Sequence, residues 1–188
     1  KPDPAGNMWL GTMPMVQDKV GGLYRIAPDG SSRCVIDGLG CANGLGWSPD
    51  GKTMYFIDTP SRAVWAFDYD EKAGEIDLNS RRTVVDFTGF APEEGGPDGM
   101  TVDAEGKLWV AQWGGCRVCR YDEITGEKLM QVDVPAPCTS CPTFGGEKLD
   151  KLFITTAGFG KEKFPEAGSL FVADVGVCGR KANRFGRE

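Results

Sequence analysis

The sequence contains no histidine, no long apolar run and no clustered basic stripe. Without imidazole, Ser-His-Asp and Cys-His catalysis, the HExxH metalloproteases and any imidazole-ligated metal site are excluded. Chemistry must then run on carboxylates, amides, hydroxyls, Lys or Arg, or on a metal held by oxygen. No stretch approaches the roughly 18 apolar residues that a membrane helix needs, and no segment shows sustained helical periodicity. Basic charge is also short, with 21 Lys and Arg against 27 Asp and Glu, a net charge of -6. Arg81-Arg82 is the longest pure basic run, so neither a nucleic acid nor a membrane is the expected partner. No secretory signal is visible in a chain that opens at Lys1, and a cytoplasmic location is the expectation.

What remains is ordinary globular material, 40% hydrophobic over 188 residues, rich enough in apolar side chains to bury a core. The seven cysteines are odd in number and do not read as a disulfide framework. Cys116-x-x-Cys119 and Cys138-x-x-Cys141 lie 18 residues apart, within the spacing of a four-Cys zinc ribbon. The strand-like period of Gly115 to Tyr121, however, sends Cys116 and Cys119 to opposite faces. Mostly free buried thiols are therefore expected.

Internal repetition organises the chain. Gly6-Asn7-Met8-Trp9-Leu10-Gly11-Thr12-Met13 aligns without gaps with Gly51-Lys52-Thr53-Met54-Tyr55-Phe56-Ile57-Asp58 and with Gly106-Lys107-Leu108-Trp109-Val110-Ala111-Gln112-Trp113. The leading glycines are 45 and then 55 residues apart, and Lys151 to Thr156 is a weaker fourth copy. A further strand-like segment follows each copy. Repeats of this length, built from short strands between Gly and Asp turns, are the signature of propeller blades. The expected fold is all-β, a β-propeller of four-stranded antiparallel blades, with about four blades present. One propeller domain over residues 1–188 is the expected organisation.

Asn43 stands 8 residues before Gly51, and Asp98 stands 8 before Gly106. They occupy equivalent positions at the start of each blade's first strand, which in a propeller lines the central channel, so they should converge at one mouth. The fourth copy places Ser140 there if its Gly145-Gly146 turn is longer. The return strands end at the same mouth, which puts Met13, Asp58 and Trp113 around it. A carboxylate and an amide oxygen are hard donors that suit Ca²⁺, Mg²⁺ or Mn²⁺, and Zn²⁺ less distinctively. A satisfied polar ring that merely caps the channel is the alternative. Asp68-x-Asp70-x-Lys72 fails as a calcium loop, because its sixth position is Ala73 and its twelfth is Asn79.

Several of these segments, in this order, resemble the senescence-marker-protein/gluconolactonase family, also called regucalcin-like. They include Lys1-Pro2-Asp3-Pro4-Ala5-Gly6, Gly11-Thr12-Met13, Asn43-Gly44-Leu45 with Trp47-Ser48, and Pro97-Asp98-Gly99-Met100. Further along come Asp103-Ala104-Glu105-Gly106-Lys107-Leu108-Trp109, Thr139-Ser140-Cys141 with Phe144-Gly145-Gly146, and Asn183-Arg184-Phe185. The resemblance implies a six-bladed propeller with one divalent metal at the channel mouth, of which this chain would be the C-terminal part. It also implies hydrolysis of sugar lactones such as gluconolactone, although family members include luciferin-regenerating and calcium-binding proteins. Carried over by motif, Asn43 and Asp98 look like two of three metal ligands; the third, a Glu, has no counterpart here. An acidic substrate contact of the family would fall among Pro14, Met15 and Val16, none of which is acidic, so the chain departs from the family there.

The expected activity is thus metal-dependent hydrolysis of a sugar lactone to the aldonic acid. Asp98 would serve as catalytic base as well as ligand, and Met13, Asp58 and Trp113 would shape the substrate pocket. The expected partner is a small lactone, in a monomer or weak homo-oligomer. A calcium-binding propeller without turnover, and a protein-binding scaffold, are the rival readings.

Overall fold

A computed structural model describes residues 1–16 and 20–186. Four antiparallel meanders follow one another along the chain, each a separate twisted sheet. The first holds β1 (Met8–Gly11), β2 (Gly21–Ile26) and β3 (Ser32–Leu39). The second holds β4 (Ala42–Trp47), β5 (Thr53–Asp58), β6 (Ala63–Asp70) and β7 (Glu75–Asp86). The third holds β8 (Gly96–Val102), β9 (Leu108–Trp113), β10 (Arg117–Tyr121) and β11 (Lys128–Asp133). The fourth holds β12 (Thr139–Gly145), β13 (Lys151–Thr156) and β14 (Leu170–Asp174). This is an arc of propeller blades, as the repeats predict. Among the described residues only the middle two blades have four strands. The first begins with what is the second strand elsewhere in the repeat, and the fourth ends one strand early.

The blades are held by three apolar layers, one between each neighbouring pair. A central strand is buried on both faces, so its sequence reads as a continuous apolar run instead of an alternation. In β5, Met54 and Phe56 pack towards the first blade with Trp9 and Trp47, whereas Tyr55 and Ile57 pack towards the third with Met100 and Val110. In β9, Leu108 and Val110 face the second blade while Trp109 and Ala111 face the fourth. Period-2 geometry thus turns one strand into cement for two interfaces.

A buried carboxylate pins the turn before the second strand in two blades. Asp103, fully buried, accepts hydrogen bonds from Lys107 N, Trp109 Nε1 and Arg120 Nε at 2.9, 2.9 and 2.8 Å. Asp3 does the same for Asn7 N and Trp9 Nε1 at 2.7 and 2.8 Å. In both, the Asp lies three residues before the turn glycine and the Trp three after it.

Beyond β14 the chain runs back beneath the blades. Gly179 N donates to Leu149 O in the fourth blade, and Ala104 N of the third donates to Cys178 O. The Arg180 guanidinium donates to Ser48 O and Pro49 O in the second, at 3.2 and 3.1 Å. Asn183 Nδ2 donates to Pro2 O, and Gly186 N to Gly6 O, in the first. All of these partners lie in the turns that follow or stand in for the ends of the inner strands. The tail therefore crosses one end of the channel, below a cavity of ≈ 550 Å³ lined by Leu45, Trp47, Val102 and Phe144.

Candidate functional site

The opposite end of the channel is where the inner strands begin. Strand β4 pairs Ala42 with Asp58 and Leu45 with Phe56, so three steps on one strand oppose two on the other. Strand β8 repeats this, pairing Pro97 with Gln112 and Met100 with Val110. In β12, Thr139 opposes Thr156 and Cys141 opposes Thr155, again with one residue extra. Each inner strand thus carries a one-residue bulge at the same level, and the bulges contain Asn43, Asp98 and Ser140. A bulge breaks the alternation of the pleat and re-aims its side chain, which is why bulges gather at functional rims.

Glycine lets these bulges approach one another. A Cβ on Gly44 would lie 2.7 Å from Met100 Cγ and 2.8 Å from Asp98 O. A Cβ on Gly99 would lie 2.5 Å from Ser140 O and 2.7 Å from Cys141 Sγ. The Asn-Gly and Asp-Gly dipeptides are therefore read in two parts: the first residue carries the polar group, and the glycine admits the next inner strand.

Asn43 and Asp98 come together as expected from the repeat. Burial pushes the Asp98 carboxyl up to about 6, only partly offset by the Asn43 amide and the Gly99 N–H. Among the described residues no Lys or Arg forms a salt bridge with it. Asn43 Nδ2 donates to Thr59 Oγ1 at 3.1 Å, and Thr59 Oγ1 donates to Pro97 O at 2.8 Å. Lys1 reaches in from the chain's start, its Nζ donating to Met100 O at 2.6 Å, and burial lowers its pKa. The thiols of Cys41, Cys138 and Cys141 all feel the Asp98 charge, and burial pushes each of them up.

The three other predicted residues divide. Met13 is 54% exposed and its Sδ lies 3.7 Å from Cys41 Sγ, at the side of Asn43. Trp113 is 38% exposed, bridges to Cys138 and meets the Phe159 ring edge-on at 6.0 Å. Both offer surface at this end of the channel. Asp58 is buried instead, and its Oδ1 accepts from Cys41 N at 2.7 Å, bracing the strand that leads into the bulge. Ser140 Oγ shares a hydrogen bond with Thr155 Oγ1 at 2.8 Å. Thr59 escaped the sequence reading as a site residue. Thr59 carries no repeat signal, because the equivalent position in the third blade is Gly114.

The two Cys-x-x-Cys pairs do not form knuckles. Cys116 sits in the β9–β10 turn with a φ of 54°, while Cys119 is buried within β10 against Gln112. All seven cysteines are unpaired.

Among the described residues no three His, Cys, Asp or Glu side chains cluster as a metal-binding group. The donor set present is one carboxylate and one amide oxygen. Nδ2 of Asn43 donates to Thr59 Oγ1 at 3.1 Å and to Cys41 Sγ at 3.8 Å and also lowers the Asp98 pKa, so Oδ1 is the atom left to act as a ligand. A desolvated carboxylate beside an asparagine amide supplies oxygen donors of the kind a divalent cation takes into its shell.

The family model for the SMP-30/gluconolactonase/LRE-like region matches residues 1–158. The chain belongs to that family. Human regucalcin is 41% identical over 191 residues, covering 95% of this chain and 62% of that protein. Pentonolactonase XacC of Haloferax volcanii is 39% identical over 188 residues, with the same coverage of 95% and 62%. Among solved structures, a calcium-binding protein, regucalcin, from Agrobacterium tumefaciens superposes with a TM-score of 0.90 at 30% identity, covering 100% of this chain and 63% of that one. A luciferin-regenerating enzyme superposes with a TM-score of 0.86 at 34% identity, covering 98% and 63%. The chain therefore spans less than two thirds of the length of these relatives. The structural neighbours are six-bladed propellers, and this chain is a partial propeller of the same kind. Among the described residues no helix is long and apolar enough to cross a membrane.

Proposed function

We propose that the Asn43/Asp98 centre supports metal-dependent hydrolysis of a sugar lactone to its aldonic acid. The observation that carries this reading is the partly buried Asp98 carboxylate beside the Asn43 amide, at matched bulges on the channel mouth. Family membership and the lactonase among the relatives support the reaction class. Asn43 Oδ1 and Asp98 would hold one divalent ion, Ca²⁺, Mg²⁺, Mn²⁺ or Zn²⁺. When bound, such an ion polarises the lactone carbonyl and stabilises the charge that builds on its oxygen.

The chain's own residues supply the proton handling. Asp98 offers a carboxylate oxygen to accept a proton from water as it adds to the carbonyl carbon. The ester C–O bond then breaks, and the departing ring oxygen takes that proton back as the alcohol. Exposed Met13 and Trp113 offer apolar surface against which the C–H face of a sugar ring can lie. The tail beneath the blades covers the other end of the channel, which leaves the Asp98 end for substrate.

The same oxygen pair suits a calcium-binding protein without turnover, the reading favoured by the likeness to regucalcin. Acid release from glucono-δ-lactone and a small lactone panel separates the two. It is to be followed with Ca²⁺, Mg²⁺, Mn²⁺ or Zn²⁺ and with chelator, in this chain and in a version extended to its relatives' length. Metal-dependent turnover supports the lactonase; metal binding with no turnover on any lactone transfers the assignment to the binding protein.

A further inference from the structure

The side-chain amide of Asn43 can be a metal ligand only through Oδ1, so something must keep it from turning over. A primary amide flips about its last bond at little cost unless its two ends meet different partners. We infer that Thr59 is the positioning residue that sets this orientation and fixes Asn43 relative to Asp98. The inference rests on the proposed metal site.

Hydrogen-bond direction carries the case. A threonine hydroxyl has one proton to give and lone pairs to accept with. The Thr59 proton goes to Pro97 O at 2.8 Å, a carbonyl that can only accept. Towards Asn43, 3.1 Å away, Thr59 Oγ1 is therefore an acceptor, and the group facing it must be Nδ2. Oδ1 is then turned away from Thr59. A flipped amide would set two acceptors against each other.

The same hydroxyl also fixes the spacing of the two ligands. Asn43 lies on the second blade, and Pro97 immediately precedes Asp98 on the third. Thr59 bridges them through a single oxygen atom. Its own backbone is anchored, since Thr59 N donates to Cys41 O at 3.0 Å and the preceding Asp58 holds Cys41 N at 2.7 Å. No residue of the repeat predicts this contact. Partners of this kind, which touch a ligand but not the metal, hold that ligand in orientation, and their loss costs about 10–100-fold in metal affinity.

The test compares Thr59→Val, which keeps the side chain's shape and removes the hydroxyl, with Thr59→Ser, which keeps the hydroxyl. Mn²⁺ affinity is measured by electron paramagnetic resonance titration, and folding by thermal unfolding of the metal-free proteins. The expected result is a loss of about 10–100-fold in Mn²⁺ affinity for Thr59→Val, with Thr59→Ser close to the parent. Equal affinity in Thr59→Val and the parent overturns the inference. A parent chain that binds no Mn²⁺ overturns the proposed metal site instead. In that event, or if Thr59→Val does not fold, the Asn43 side-chain amide is examined in the unsubstituted, ¹⁵N-labelled protein by nuclear magnetic resonance. One Nδ2 proton protected from solvent exchange sustains the orienting role, and two freely exchanging protons overturn it.

Discussion

Replacing Asp98 by Asn separates what this residue does for function from what it does to stability. The two carboxylate oxygens become one oxygen and one NH₂ of nearly the same size, and the negative charge disappears. In the metal-free protein that charge is a burden, because burial holds the folded-state pKa at about 6 against an ordinary 3.8. A shift of that size corresponds to about 3 kcal/mol at full weight, and partial solvent exposure of the side chain reduces it to roughly 1–2 kcal/mol. The sign follows from proton binding. Below pH 3.8 the carboxyl is neutral in folded and unfolded chains alike. As pH rises from there to about 6 the unfolded chain releases the proton first, so the metal-free parent loses stability across that window. Asp98→Asn has no proton to lose there. Urea unfolding with chelator should show Asp98→Asn more stable than the parent by roughly 1–2 kcal/mol at pH 8, with the gap closing towards pH 4. Stabilisation by added Mn²⁺ or Ca²⁺ should fall sharply in the variant, and lactone turnover with it. A variant less stable than the metal-free parent at pH 8, or a gap independent of pH, would refute the view that Asp98 is a desolvated charge awaiting a cation.

Two further outcomes follow from the same geometry. A cation competes with a proton for Asp98, so metal affinity should drop about tenfold per pH unit below a pH of about 6, and level off above it; isothermal titration at pH 5, 6 and 8 checks this, and a flat profile would remove Asp98 from the ligand set. Asp103→Ala leaves the buried Trp109 Nε1 without its partner and takes from Arg120 one of its two carboxylates, the Glu105 contact at 2.6 Å remaining. It should cost about 1–3 kcal/mol for the buried donor left unpaired, a sizeable share of the 5–15 kcal/mol typical of a domain, and a thermal midpoint unchanged from the parent's would show that water replaces the lost partner.

The repeat arithmetic made the level of Asn43 and Asp98 legible, because equal distances to the turn glycine impose equal positions on equivalent strands. It could not show the bulges. Those arise when an extra residue is absorbed between two paired strands, and spacing along one strand carries no record of its partner's length. Asp58 illustrates the same limit. Its repeat position put it at the mouth, where it does lie, but that Cys41 N donates to its Oδ1 at 2.7 Å could not be read from the repeat.

By itself the sequence determined the blades. Glycine turns, doubly buried runs such as Met54-Tyr55-Phe56-Ile57, and the Asp–Gly–Trp spacing of Asp103, Gly106 and Trp109 are local or periodic, so they are written in order along the chain. Only the tertiary structure decided the raised pKa of Asp98, the orientation of the Asn43 amide and the path of the tail across four turns. Desolvation depends on everything packed around a charge, and a hydrogen bond's direction depends on what its partner already holds. Thr59 acts between Asn43, 16 residues upstream, and Pro97, 38 residues downstream, and no one-dimensional pattern links them.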